Sequence, residues 1–223
     1  MRKILILCTL CVMVLTGTSY GASRQEMKKL GVFLSNFTEA GYFNFDIRAE
    51  NSNDDNDGLA HLGMPENVTE LARFGIVHNL INNYKTRIKK CRDRNCESGP
   101  LTIEKKYVSE SVRKYFGLDL DAMDLDYIAD DVTAEFSYDG RLFHFDAESF
   151  REPGNEAVYY AEVEDVDSTG RYTAVSGYVY DTKKTTKERG TFSAMVIPSM
   201  WQGKSSWLII RMTTDWDDEE EED

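Results

Sequence analysis

Residues 157–181 read AVYYAEVEDVDSTGRYTAVSGYVYD, and this stretch decides the fold class. Aromatic and β-branched residues fill both halves, a composition suited to strands. Between them, Asp167-Ser168-Thr169-Gly170 carries turn chemistry. Two strands joined by so short a turn are antiparallel neighbours. Working outward, residues 132–137 and 141–146 flank Tyr138-Asp139-Gly140 and read as a second hairpin. Residues 191–197 and 207–213 supply further strands. Consecutive strands with short connections predict an antiparallel meander of five or six strands.

The chain before residue 117 has a different period. Ser23 and Glu26 have capping-box spacing, and Met27, Leu30, Leu34 and Phe37 then recur on one helical face, with Gly41 as a stop. Asn67 and Glu70 suggest a second helix start. A wide apolar stripe follows through Leu71, Phe74, Val77, Ile81, Tyr84 and Ile88, with Lys85, Arg87, Lys89 and Lys90 at the end that favours positive charge. Val108, Val112, Tyr115 and Phe116 form the face of a third helix, which Gly117 ends. Helices followed by antiparallel strands define an α+β domain, with the helices on one face of the sheet.

This element order resembles the cystatin-like and NTF2-like cone, which implies a curved sheet around helices and a pocket between them. At the level of motifs, residues 33–39 (FLSNFTE), 73–79 (RFGIVHN) and 112–117 (VRKYFG) resemble a group of uncharacterised secreted or surface proteins of bacteria. The likeness spans roughly residues 28–117. It implies export and carries no activity with it.

Export is also what the N-terminus predicts. Arg2 and Lys3 precede a near-continuous apolar run over residues 4–15, too short for a membrane anchor. Small residues follow, and Ser19 and Gly21 suit a cleavage site. Residues 1–21 are therefore expected to be a signal peptide, residues 22–214 a single domain, and residues 215–223 a disordered acidic tail. No membrane anchor is expected after cleavage, and the address is periplasmic or extracellular. Cys8 and Cys11 fall inside the signal. That leaves Cys91 and Cys96, whose spacing in an oxidising compartment predicts a local disulfide. The net charge of −13 speaks against nucleic acid and anionic membrane surfaces as partners.

Several residues are candidates for chemistry. Asn53, Asp55 and Asp57 precede Gly58 at the spacing of a calcium loop, but Met64 stands where the closing glutamate belongs. A turn-rich solvated loop explains the same residues. No other cofactor is expected. His78 lies on the apolar stripe of the second helix. His144 and Asp146 alternate with Phe143 and Phe145, which puts them on one strand face where acid–base work is conceivable. A hydrogen-bonded core histidine and a surface strand histidine are the plain alternatives. Tyr160, Tyr178, Tyr180, Trp207 and Arg211 are residue types that make binding faces, although aromatics also simply favour strands. The leading expectation is a non-enzymatic exported domain that binds a protein or small-molecule ligand. An enzyme with an NTF2-like pocket and a calcium-stabilised surface protein are the alternatives.

Overall fold

The computed structural model describes residues 22–48, 59–63, 67–82, 84, 86–92, 96, 99–130, 135–150, 158–181 and 187–217. The expected signal peptide, the loop carrying Asn53, Asp55 and Asp57, and the last six residues lie outside that set.

Helix α1 (Arg24–Thr38) starts where its capping box requires, with the Glu26 amide donating to Ser23 Oγ at 3.2 Å. Its buried face holds Leu30, Leu34 and Phe37 of the predicted stripe together with Phe33, while Met27 is only partly buried. Helix α2 (Val68–Ile81) ends earlier than the stripe suggests. Asn82 caps it, with both its amide (3.2 Å) and its side-chain Nδ2 (2.9 Å) donating to His78 O. The run through Ile88 therefore leaves the helix and becomes strand β3 (Ile88–Lys90). At the other end, Asn67 makes no side-chain cap. Its Nδ2 donates to His61 O at 2.7 Å instead. Helix α3 (Lys105–Phe116) closes on Gly117 at φ +71°, with the Gly117 amide donating to Arg113 O. A short helix α4 (Asp126–Asp130) follows.

The strands are antiparallel almost throughout, as expected of this α+β chain, but they divide into two sheets. The larger has the order β2-β1-β10-β9-β8-β7. Its members are β1 (Phe45–Asp46), β2 (Ala60–His61), β7 (Tyr160–Thr169), β8 (Tyr172–Tyr180), β9 (Glu188–Trp201) and β10 (Lys204–Trp216). Among the described strands, only β1 and β2 pair in parallel. The smaller sheet has the order β3-β4-β6-β5, with β4 (Leu101–Glu104), β5 (Phe136–Tyr138) and β6 (Leu142–Phe145). The hairpin read at residues 132–146 thus pairs with strands from the helical half and does not extend the meander. Strand β10 includes Asp215 and Trp216, past the boundary expected for the tail.

One core joins these layers. The Phe37 ring lies within 5.3–5.7 Å of the rings of Phe45, Phe74, Tyr115 and Phe116, so it ties α1 to α2, α3 and β1. Full burial of such a ring is worth about 1.5–3 kcal/mol. Helices α2 and α3 cross at Gly75, where a Cβ would stand 2.9 Å from Val108 O and 2.6 Å from its Cγ1. Close helix approach here requires glycine. Helix α1 covers the free edge of β7: Thr38 Oγ1 donates to Tyr159 O at 2.7 Å, and the Ala161 amide donates to Ser35 Oγ at 3.1 Å. Edge groups left open by the sheet are satisfied by helix hydroxyls.

Beyond Val196, β9 loses its partner β8, and β10 meets β1 only at Arg211 and Met212. Residues 197–208 therefore pair only with one another, as a two-stranded ribbon. The ribbon turns at Gln202 and Gly203, which have φ of +48° and +76°. A two-residue hairpin needs positive φ at both positions. Gln202 accepts that strain as the one described residue other than glycine with positive φ.

Candidate ligand cleft

The ribbon tip stands over the ends of α2 and α3 and encloses a half-open cleft of about 360 Å³. Its floor is His78 and Ser111; Tyr84, Arg87, Glu110 and Lys114 rise on one side, and residues of the ribbon, from Trp201 to Ser206, on the other.

Hydrogen bonds lock the floor. His78 is only 3% exposed. Its Nδ1 lies 3.0 Å from Ser111 Oγ and its Nε2 lies 3.1 Å from Tyr115 Oη. One proton arrangement satisfies every group. Lys114 Nζ donates to Tyr115 Oη at 3.0 Å, so the Tyr115 hydroxyl donates to His78 Nε2. The Nδ1–H of His78 then donates to Ser111 Oγ, which also accepts from Asn79 Nδ2 at 3.0 Å and itself donates to Tyr107 O at 3.3 Å. Asn79 Oδ1 accepts from Arg87 Nη1 at 3.2 Å. In this arrangement His78 is neutral. Burial pushes its pKa down to about 3, and the charges of Lys114 and Arg87 push the same way. Burial also lowers Lys114, with Arg87 adding to the effect against the pull of Glu110. Burial raises Tyr115.

Arg87 is held on four sides. It bonds Asn79, pairs with Glu110 at 3.1 Å, and lies over the rings of Tyr84 (4.6 Å) and Tyr107 (4.8 Å). Neither Lys114 nor Lys204 has a carboxylate within 4.0 Å among the described residues.

His144 lies elsewhere, in the small sheet. It is 6% exposed, and its expected companion Asp146 is not its partner. Asp139 is: its Oδ2 stands 2.8 Å from His144 Nε2, while Cys91 Sγ lies 3.7 Å from Nδ1. Asp146 instead accepts the Glu148 amide at the following turn. Burial pulls Asp139 upward, but the Leu142 amide, His144 and the Arg141 amide outweigh it and hold the carboxyl below its ordinary range. The Cys91–Cys96 disulfide is present and closes the loop between β3 and β4 rather than following a helix.

The five residues expected to form a binding face do not share one. Tyr160 and Tyr180 are directly opposed across β7 and β8, with Tyr178 beside them, on the sheet face away from the helices. A hydrogen bond from Tyr178 to the Glu164 carboxylate raises that phenol. Trp207 points inward, its ring 5.9 Å from Phe33. Arg211 opposes Asp46 across β10 and β1. Among the described residues, no group of three His, Cys, Asp or Glu side chains could hold a metal ion.

Sequence reasoning found one cleft residue, His78. Arg87 was legible only as charge near a helix end. Lys114, Gln202, Lys204, Ser205 and Ser206 gave no local sign beyond the Gln-Gly turn itself. Comparison with protein-family models, curated proteins and solved structures finds no match for this chain.

Proposed function

We propose that this protein is an exported, non-enzymatic binding domain whose ligand occupies the cleft between the α2–α3 floor and the β9–β10 ribbon. The observation that carries the reading is the contrast within the cleft. Its floor is a closed hydrogen-bond network, while its walls carry side chains with donors to spare. Pockets that bind small molecules are of this size and combine a fixed frame with a few converging polar groups. Turnover fits the same groups poorly. Both nitrogens of His78 are engaged, its low pKa makes it a weak base at neutral pH, and the Ser111 proton is committed to Tyr107 O. His144 and Asp146 lie in a separate sheet from the cleft and do not join it. Export is supported by the Cys91–Cys96 disulfide, a bond typical of oxidising compartments. No helix among the described residues is long and apolar enough to cross a membrane.

Amide-resolved NMR against a library of small anionic, neutral and cationic molecules tests the reading. Hits are expected to shift the Ser111, Lys114 and Gln202–Ser206 amides together. Shifts confined to Tyr160, Tyr178 and Tyr180 would move the binding function to the outer sheet face and refute the cleft.

A further inference from the structure

The chain carries 39 acidic against 26 basic side chains, so an average patch of its surface is negative. The cleft inverts that sign. Arg87, Lys114 and Lys204 line it against a single carboxylate, Glu110. Glu110 does not offset all three, since it pairs with Arg87 at 3.1 Å and so fixes the guanidinium in place. The uncompensated charge rests on the two lysines. Among the described residues, the one hydrogen bond of Lys114 is to a neutral oxygen, Tyr115 Oη at 3.0 Å, which leaves two of its three protons for something else. A half-buried ammonium that faces Arg87 and feels Glu110 only from beyond 4.0 Å is an unfavourable arrangement for the empty protein. It becomes favourable when an anion arrives. The other polar groups are of matching kind: the Ser205 and Ser206 hydroxyls and the Gln202 amide can all donate to an acceptor-rich guest.

From this geometry we infer that the ligand of the cleft is a small anion, bound through a carboxylate or phosphate group by Lys114 and Lys204, with Arg87 as a third donor. This rests on the cleft being the binding site. Smallness follows from the charge of the whole molecule. A polyanion such as a nucleic acid would extend beyond the cleft onto a surface of the same sign as itself, whereas a compact anion sees the nearby lysines within a screening length of about 8 Å. Concave low-dielectric walls strengthen that local field.

The test uses the purified protein at low ionic strength, titrated with inorganic phosphate and with citrate while the cleft amides and tryptophan fluorescence are followed. Glucose and choline serve as neutral and cationic probes, and sodium chloride controls for ionic strength. Saturable binding of at least one anion is expected, and which of the two binds assigns phosphate or carboxylate chemistry. Lys114→Gln and Lys204→Gln should each weaken it by about tenfold or more. Lys29→Gln, at an exposed position on α1, should leave it unchanged. Cooperative melting at or above the wild-type temperature would show that the variants fold. The inference is overturned if neither anion saturates, or if all three variants bind alike. Cleft shifts with glucose or choline but with neither anion would overturn the anion and keep the cleft.

Discussion

His78 meets the charges of Lys114 and Arg87 and hydrogen-bonds only to neutral oxygens; His144, in the small sheet, meets the Asp139 carboxylate at 2.8 Å. Both rings are buried, yet the fold sets one against a carboxylate and the other against two cations. Around His144 the polar atoms close on themselves and the disulfide stands beside them. Around His78, Arg87 pairs with Glu110 at 3.1 Å, Lys114 has no carboxylate within 4.0 Å among the described residues, and a cleft lies in front of both. The first arrangement is a closed structural contact, and the second is the one on which the proposed binding cleft rests.

Acid should separate the two most strongly. The pKa of His78 is about 3 in the folded protein, below its unfolded value of 6.5. The unfolded chain takes up the proton first, so the stability is complete above about pH 6.5 and lost as pH falls toward 3. The groups facing the ring are Phe74 on α2, Tyr84 and Arg87 after it, and Ser111, Lys114 and Tyr115 on α3. Urea unfolding of the wild type should lose about 2 kcal/mol between about pH 7.5 and pH 5 through this group, at a slope that approaches about 1.4 kcal/mol per unit. His78→Gln should lack that slope. Equal slopes would mean that His78 is not held neutral.

A smaller effect is expected in the other sheet. Asp139→Asn leaves a buried ring without its carboxylate and should cost about 1–2 kcal/mol at neutral pH, whereas Asp146→Asn, at a turn, should cost about half as much. Because the folded pKa of Asp139 is depressed, its contribution is present above the unfolded value and disappears as pH falls through the folded one. Chemical denaturation of both variants decides the order, and the reverse order would restore Asp146 as the partner of His144.

The smallest effect has the opposite sign. Lys114→Gln removes a half-buried charge that faces Arg87, and should raise stability by about 0.5–1 kcal/mol while weakening anion binding. A loss of stability would show that Lys114 is structural and that its charge is not held for a ligand.

Much of this architecture was legible in local pattern. The capping box at Ser23, the Gly117 stop and the strand–turn–strand run of residues 157–181 report on neighbours a few residues away, and α1, α3 and β7–β8 follow them. The Cys91–Cys96 bond is equally local. Strands β3 and β4 escaped because three or four residues carry too little periodicity to announce a strand, and the apolar stripe of α2 runs on into Ile88. The partner of His144 escaped because a hairpin turn brings Asp139 back to it, which alternation along one strand does not register. The cleft draws on residues 78–87, 110–114 and 201–206, which share no sequence signal and meet only when the ribbon folds over the helices.

Helix α1 has a further consequence, for assembly. Of the two ends of the large sheet, one is the two-residue β2 and the other is the ten-residue β7. Only β7 is long enough to nucleate growth by adding another chain, and α1 lies across it through Ser35 and Thr38. Those contacts bridge more than 120 residues of sequence. The first described helix thus covers an edge completed much later in the sequence.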